Sequence, residues 1–161
     1  MINQNLMLMG YSTNKHLLLD LDNTTENKAL QMGKLIQKEF KDLGGFWVLE
    51  SSVSKNDSVK LGYFYKQRKP FEYRKLNNYH LVYTNKVKWS RIMKIVKILA
   101  ELGVLNKDFI QIRNFRGDLT LRVNEKIGHK ETKPKPKPLN FIKGLTGKDD
   151  KLDYNYMSMI L

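Results

Sequence analysis

The chain has no cysteine among its 161 residues, which excludes a disulfide framework, a Cys-ligated zinc site and a thiol nucleophile together. Long apolar runs are missing as well. Nothing approaches the roughly 18 consecutive apolar residues that a membrane-spanning helix needs, and the first ten residues lack the basic start and cleavage site of a secretory signal. The expectation is a cytoplasmic protein with no membrane partner. Acidic residues are in short supply: 16 stand against 29 lysines and arginines, a formal charge of +13. At this length the chain makes about one domain, with room for a core that needs no staples.

The basic excess is local. Residues 1–50 carry 5 basic and 6 acidic groups, residues 51–126 carry 17 and 6, and residues 127–161 carry 7 and 4. The middle of the chain therefore calls for a polyanion. Within it, Lys66, Arg68, Lys69, Arg74 and Lys75 alternate with Phe71 and Tyr73. Such a stretch suits single-stranded nucleic acid, whose phosphates take the charge while bases stack on the rings. A solvated loop with two aromatics tucked beneath it is the structural alternative.

The stretch Leu17-Leu18-Leu19-Asp20-Leu21-Asp22-Asn23 organises the rest. An apolar run ending in two aspartates two positions apart reads as a strand that delivers both carboxylates to one side of a sheet. Paired carboxylates suit a hard divalent cation, Mg²⁺ or Mn²⁺, and cations of that kind usually share their coordination with substrate phosphates. A strand that simply ends at Asp20, with Asp22 and Asn23 opening a helix, is the alternative.

Asn23 and Glu26 have the spacing of a capping box, and Ala29, Met32, Gly33, Ile36, Phe40 and Leu43 recur at helical intervals up to Gly44. Residues 46–51 and 79–84 read as strands, with a weaker one at 59–65. Ser90 caps a second helix whose stripe is Ile92, Ile95, Val96, Leu99 and Leu102, closed by Gly103. Residues 109–112 and 119–123 suggest a hairpin. This order predicts an α+β fold of the ferredoxin-like or RRM-like kind, a split β-α-β sheet with helices on one face and Asp20, Asp22 and His80 on the bare one. The expected layout is an arm at 1–15, the domain at 16–126, and a basic Pro-rich linker with a docking segment at 127–161. The run Lys133-Pro-Lys-Pro-Lys-Pro138 is expected to be a polyproline-like spacer, and the apolar residues 152–161 to dock on the domain or on a replication partner.

Taken together, Leu17 to Asp22, Asn78-Tyr79-His80-Leu-Val-Tyr83 and Leu121-Arg122-Val-Asn-Glu-Lys126 resemble the catalytic core of the archaeo-eukaryotic primase superfamily, the primase-polymerases. The resemblance covers about residues 16–126. It implies a nucleotidyltransferase of DNA replication that uses nucleoside triphosphates on a single-stranded DNA or RNA template. Asp20 and Asp22 would be metal ligands, His80 a triphosphate contact, and Arg122 with Lys126 phosphate or nucleotide contacts. A third metal-binding aspartate is implied, Asp108 in preference to Asp118. Two departures stand out: Asn78 occupies a place usually held by serine, and Asp108 follows Lys107 where a hydrophobic residue is usual. Without a third carboxylate, the chain would be an inactive primase-like module that binds nucleic acid.

A second resemblance starts from the same residues. Asp20-Leu-Asp22-Asn-Thr24 matches the first motif of haloacid-dehalogenase-like phosphatases, which implies a doubly wound parallel sheet and a later acidic motif. Asp149 and Asp150 are the only late acidic pair available for it.

Overall fold

The computed structural model describes residues 10–53, 77–105, 117–122, 126–127, 132–133 and 135–150. Its strands are β1 (Gly10–Thr13), β2 (Leu18–Thr24), β3 (Phe46–Val53), β4 (Asn77–Tyr83), β5 (Leu119–Arg122), β6 (Lys126–Ile127), β7 (Thr132–Lys133) and β8 (Lys137–Ile142). The helices are α1 (Glu26–Glu39) and α2 (Trp89–Glu101), and a 3-10 turn spans Lys41–Leu43. The fold is α+β.

Four strands form the main sheet in the order β2-β4-β3-β8, every pair antiparallel. β2 and β3 consequently run in the same direction, joined through α1, with β4 inserted between them. This is the split β-α-β arrangement expected from the order of the periodic segments. β4 holds the centre because its aromatic and β-branched residues pack on both sides: Tyr79 through Tyr83 are all buried.

The helices share one face. Tyr83 donates its hydroxyl proton to the Gly33 carbonyl of α1 at 2.9 Å, and its ring lies 5.3 Å from that of Phe46. Leu19, Val48 and Leu81 follow on the same side. α2 runs antiparallel to α1: near its start Arg91 stacks 5.4 Å from the Phe40 ring, and beyond its end Val104 borders a cleft with Lys28, Gln31 and Met32. Of its predicted stripe, Ile92, Ile95, Val96 and Leu99 are buried, whereas Leu102 lies just past the end of the helix and is exposed.

The opposite face is not bare. Leu18, Leu49 and Val82 point that way and are as buried as the helix-side leucines. Three leucines in a row, rather than a strict alternation, are the signature of a strand covered on both sides. β5 lies against β2 and adds Leu119 and Leu121 to the core. Its hydrogen-bonded partner among the described residues is β1, drawn from the segment expected to be an arm, with Ser12 and Thr120 hydroxyls 2.7 Å apart. The expected strands at 59–65 and 109–112 lie outside the described residues.

Residues 137–142 were expected in a linker and instead form β8, the outer strand of the sheet. Pro138 is accommodated because β8 is an edge strand with a register shift at that point. The Trp47 and Phe141 rings meet across the pair at 4.9 Å. The chain then turns back, and the Asp149 carboxylate accepts from the N–H groups of Gly45 (2.6 Å) and Gly144 (3.0 Å), while Asp150 accepts from that of Lys86 (3.1 Å). The late acidic pair of the phosphatase alternative thus holds backbone amides. The antiparallel sheet is also not the doubly wound parallel one which that alternative requires. The docking segment at 152–161 lies outside the described residues.

Candidate functional site

Asp20 and His80 are direct partners in the register of β2 and β4. Asp20 Oδ1 lies 3.6 Å from His80 Nε2, an electrostatic contact rather than a hydrogen bond. The carboxylate is 48% exposed and the imidazole only 3%. An acceptor open to solvent therefore sits against a ring that cannot swing away. A carboxylate this close can orient the imidazole.

Asp22 is placed by an irregularity that alternation does not foresee. Leu21 pairs with Tyr79, but the next pair is Thr24 with Asn77, so β2 carries one extra residue in a bulge. Asn23 takes φ +51° there, a region that asparagine enters more readily than other side chains. Its N–H donates to the Asn78 side-chain oxygen at 2.9 Å. The residue that departs from the usual serine is thus the one that fixes the bulge. Thr25 caps α1 in place of the expected Asn23, its hydroxyl accepting from the Lys28 N–H at 3.2 Å.

As a result the two carboxylates border different spaces. Asp20 stands beside His80 on the side away from the helices. Asp22 lines a cleft of about 350 Å³ with Lys28, Gln31, Met32 and Leu35 of α1. Bulges that re-aim a side chain in this way are common beside active sites. Among the described residues no three His, Cys, Asp or Glu side chains converge closely enough to hold a metal ion. Asp118 lies in the turn before β5 and completes no such group with them.

The remaining expected residues divide between backbone and undescribed positions. Arg122 ends β5, the strand that runs against β2, and Lys126 opens β6. Asp108 lies outside the described residues, as do Lys66, Arg68, Lys69, Phe71, Tyr73, Arg74 and Lys75. No helix among the described residues is long and apolar enough to cross a membrane.

A second polar site escaped the sequence reading. Lys86, Lys88, Ser90, Arg91 and Lys94 line a cleft of about 550 Å³ together with Asp42. Its signal was present in the chain: five cations and no acid occur from Lys86 to Lys97. Set against protein-family models, curated proteins and solved structures, the chain matches none of them.

Proposed function

We propose that the chain is a primase-like nucleotidyltransferase core acting on single-stranded nucleic acid. The observation that carries this reading is the direct opposition of Asp20 and His80 on neighbouring strands of a split β-α-β sheet, with the carboxylate open to solvent. In this reading Asp20, Asp22 and Asp108 hold Mg²⁺ or Mn²⁺. Exposed carboxylate oxygens are the hard donors such ions prefer, and one or two carboxylates with substrate phosphates are the usual complement of Mg²⁺. When bound, the ion supplies charge to the triphosphate and to the attacking 3′ hydroxyl. The chain's own contribution is electrostatic: His80, with Arg122 and Lys126, takes the negative charge of the phosphates. Lys66, Arg68, Lys69, Arg74 and Lys75 hold the template without reading its sequence, while Phe71 and Tyr73 stack its bases.

The test is nucleotide incorporation on a primed and an unprimed single-stranded template with Mn²⁺. The unaltered chain extends or initiates a strand, and Asp20→Asn and His80→Ala each lower the rate by about 100-fold or more while template binding persists. Incorporation that survives Asp20→Asn overturns the assignment. The placing of Asp22 beside α1, apart from His80, favours a second reading in which the chain binds nucleic acid without catalysis. That reading predicts binding indifferent to chelation and to Asp20→Asn, with no incorporation by the unaltered chain.

A further inference from the structure

We propose that the cleft at the start of α2 is a phosphate-backbone site for single-stranded nucleic acid, separate from Asp20 and His80. This inference rests on the nucleic-acid part of the proposed function and is independent of its chemistry. Lys86, Lys88 and Lys94 are exposed around the cleft, and Ser90 adds a hydroxyl. The one acid in its wall is already committed: both Asp42 oxygens accept from the Arg91 guanidinium, each at 3.1 Å. Asp150, nearby, accepts from the Lys86 N–H. The cleft is left with a positive excess of about two charges after both acids are set against its four cations.

The loop that carries Lys86 and Lys88 is held unusually firmly. The N–H groups of Thr84, Asn85, Lys86 and Val87 donate in turn to Gly45 O, Leu43 O, Asp150 Oδ2 and Lys15 O, at 2.8–3.1 Å. The Asn85 side chain bridges Asp42 O and Lys148 O and accepts from the Asp150 N–H. The backbone held this way keeps the bases of the Lys86 and Lys88 side chains together, so both charges can reach one anion in the cleft. Sulfate-sized occupancy leaves much of about 550 Å³ unused, whereas successive phosphates of an extended strand engage lysines on both the loop and the helix. The cleft adjoins the end of the sheet where β2 begins, since Val87 bonds to Lys15. Asp20 lies five residues beyond Lys15 along the chain, so one strand passing around this end reaches both places.

The experiment is fluorescence anisotropy of a labelled oligodeoxythymidine with the full chain, titrated at several salt concentrations. The triple variant Lys86→Ala/Lys88→Ala/Lys94→Ala is expected to bind at least about tenfold more weakly, with a log Kd against log salt slope lower by about 2, the value for three lost contacts. Asp42→Asn is expected to bind more tightly and to steepen the slope, an outcome that misfolding does not produce. Unchanged affinity and slope in the triple variant overturn the proposal. So does a loss confined to vesicles of anionic phospholipid, with oligonucleotide binding intact. A failed catalytic reading shows instead as no incorporation by the unaltered chain while the triple variant still weakens binding.

Discussion

At the scale of single residues, Gly33 and Phe46 form a tight fit. Gly33 sits on the buried side of α1, and a Cβ built there meets the Phe46 ring, with Cζ 2.6 Å away. Phe46 has no exposed surface and packs against Tyr83, so the ring cannot yield. Alanine improves helix propensity by about 1 kcal/mol over glycine. Overpacking a filled core costs about 1–3 kcal/mol. The clash wins, and Gly33→Ala is expected to lower the urea midpoint, with a loss of stability of up to about 2 kcal/mol at unchanged m. A midpoint that rises would mean that α1 moves away from the sheet. The same reasoning explains Gly44, whose φ of +74° and contact with Asn85 leave no place for a side chain.

At the scale of elements, the turn after β8 is tied to the start of β3 by one carboxylate. Asp149 satisfies the N–H groups of Gly45 and Gly144, and Gly45 is buried. Asp149→Ala strands a buried donor, which costs about 1–3 kcal/mol. Hydrogen exchange locates the effect: amides of residues 137–142 lose protection while those of β4 keep it. Equal loosening of β4 would show that β8 is no separable part of the sheet. β8 also marks the limit of what local pattern reveals. β2, α1, β3, β4 and α2 were legible because each is a short apolar or aromatic run or repeats its apolar residues at a helical period. β8 was not, because it starts at the end of the Lys-Pro run 133–138, which has the composition of a solvated spacer, and its stability comes from Trp47 and the β3 edge, distant in sequence. The bulge at Asp22-Asn23 was hidden for a related reason. A single extra residue reverses the facing of everything after it, and pairing register is not written in one strand alone. Asp20 and His80 were legible as residues of two strands, but their opposition required the register.

At the scale of the molecule, charge dominates. The excess of 13 positive charges repels itself in any compact state, and acid makes this worse by neutralising the 16 carboxylates and leaving the 29 lysines and arginines unopposed. One carboxylate adds a local contribution. The hydrogen bond from Arg91, and then the charge of that guanidinium, hold Asp42 below its ordinary value of 3.8 against a partial opposing effect of burial. A group depressed in the folded state contributes stability that is complete above the unfolded value and disappears as pH falls through the folded one. The pair is 37% and 45% exposed, so its share is at most about 1 kcal/mol. Distributed repulsion therefore outweighs it. Tm is expected to hold steady from neutral pH down to about 4 and to fall below that. At about pH 3, raising the ionic strength from about 0.05 to about 0.5 M should restore most of the loss, because the Debye length shrinks from about 14 to about 4 Å and screens distributed repulsion. Asp42→Asn should shift the neutral-pH Tm only slightly and leave this salt recovery intact. If salt at low pH restores nothing, specific carboxylate contacts rather than net charge set the acid limit of this fold.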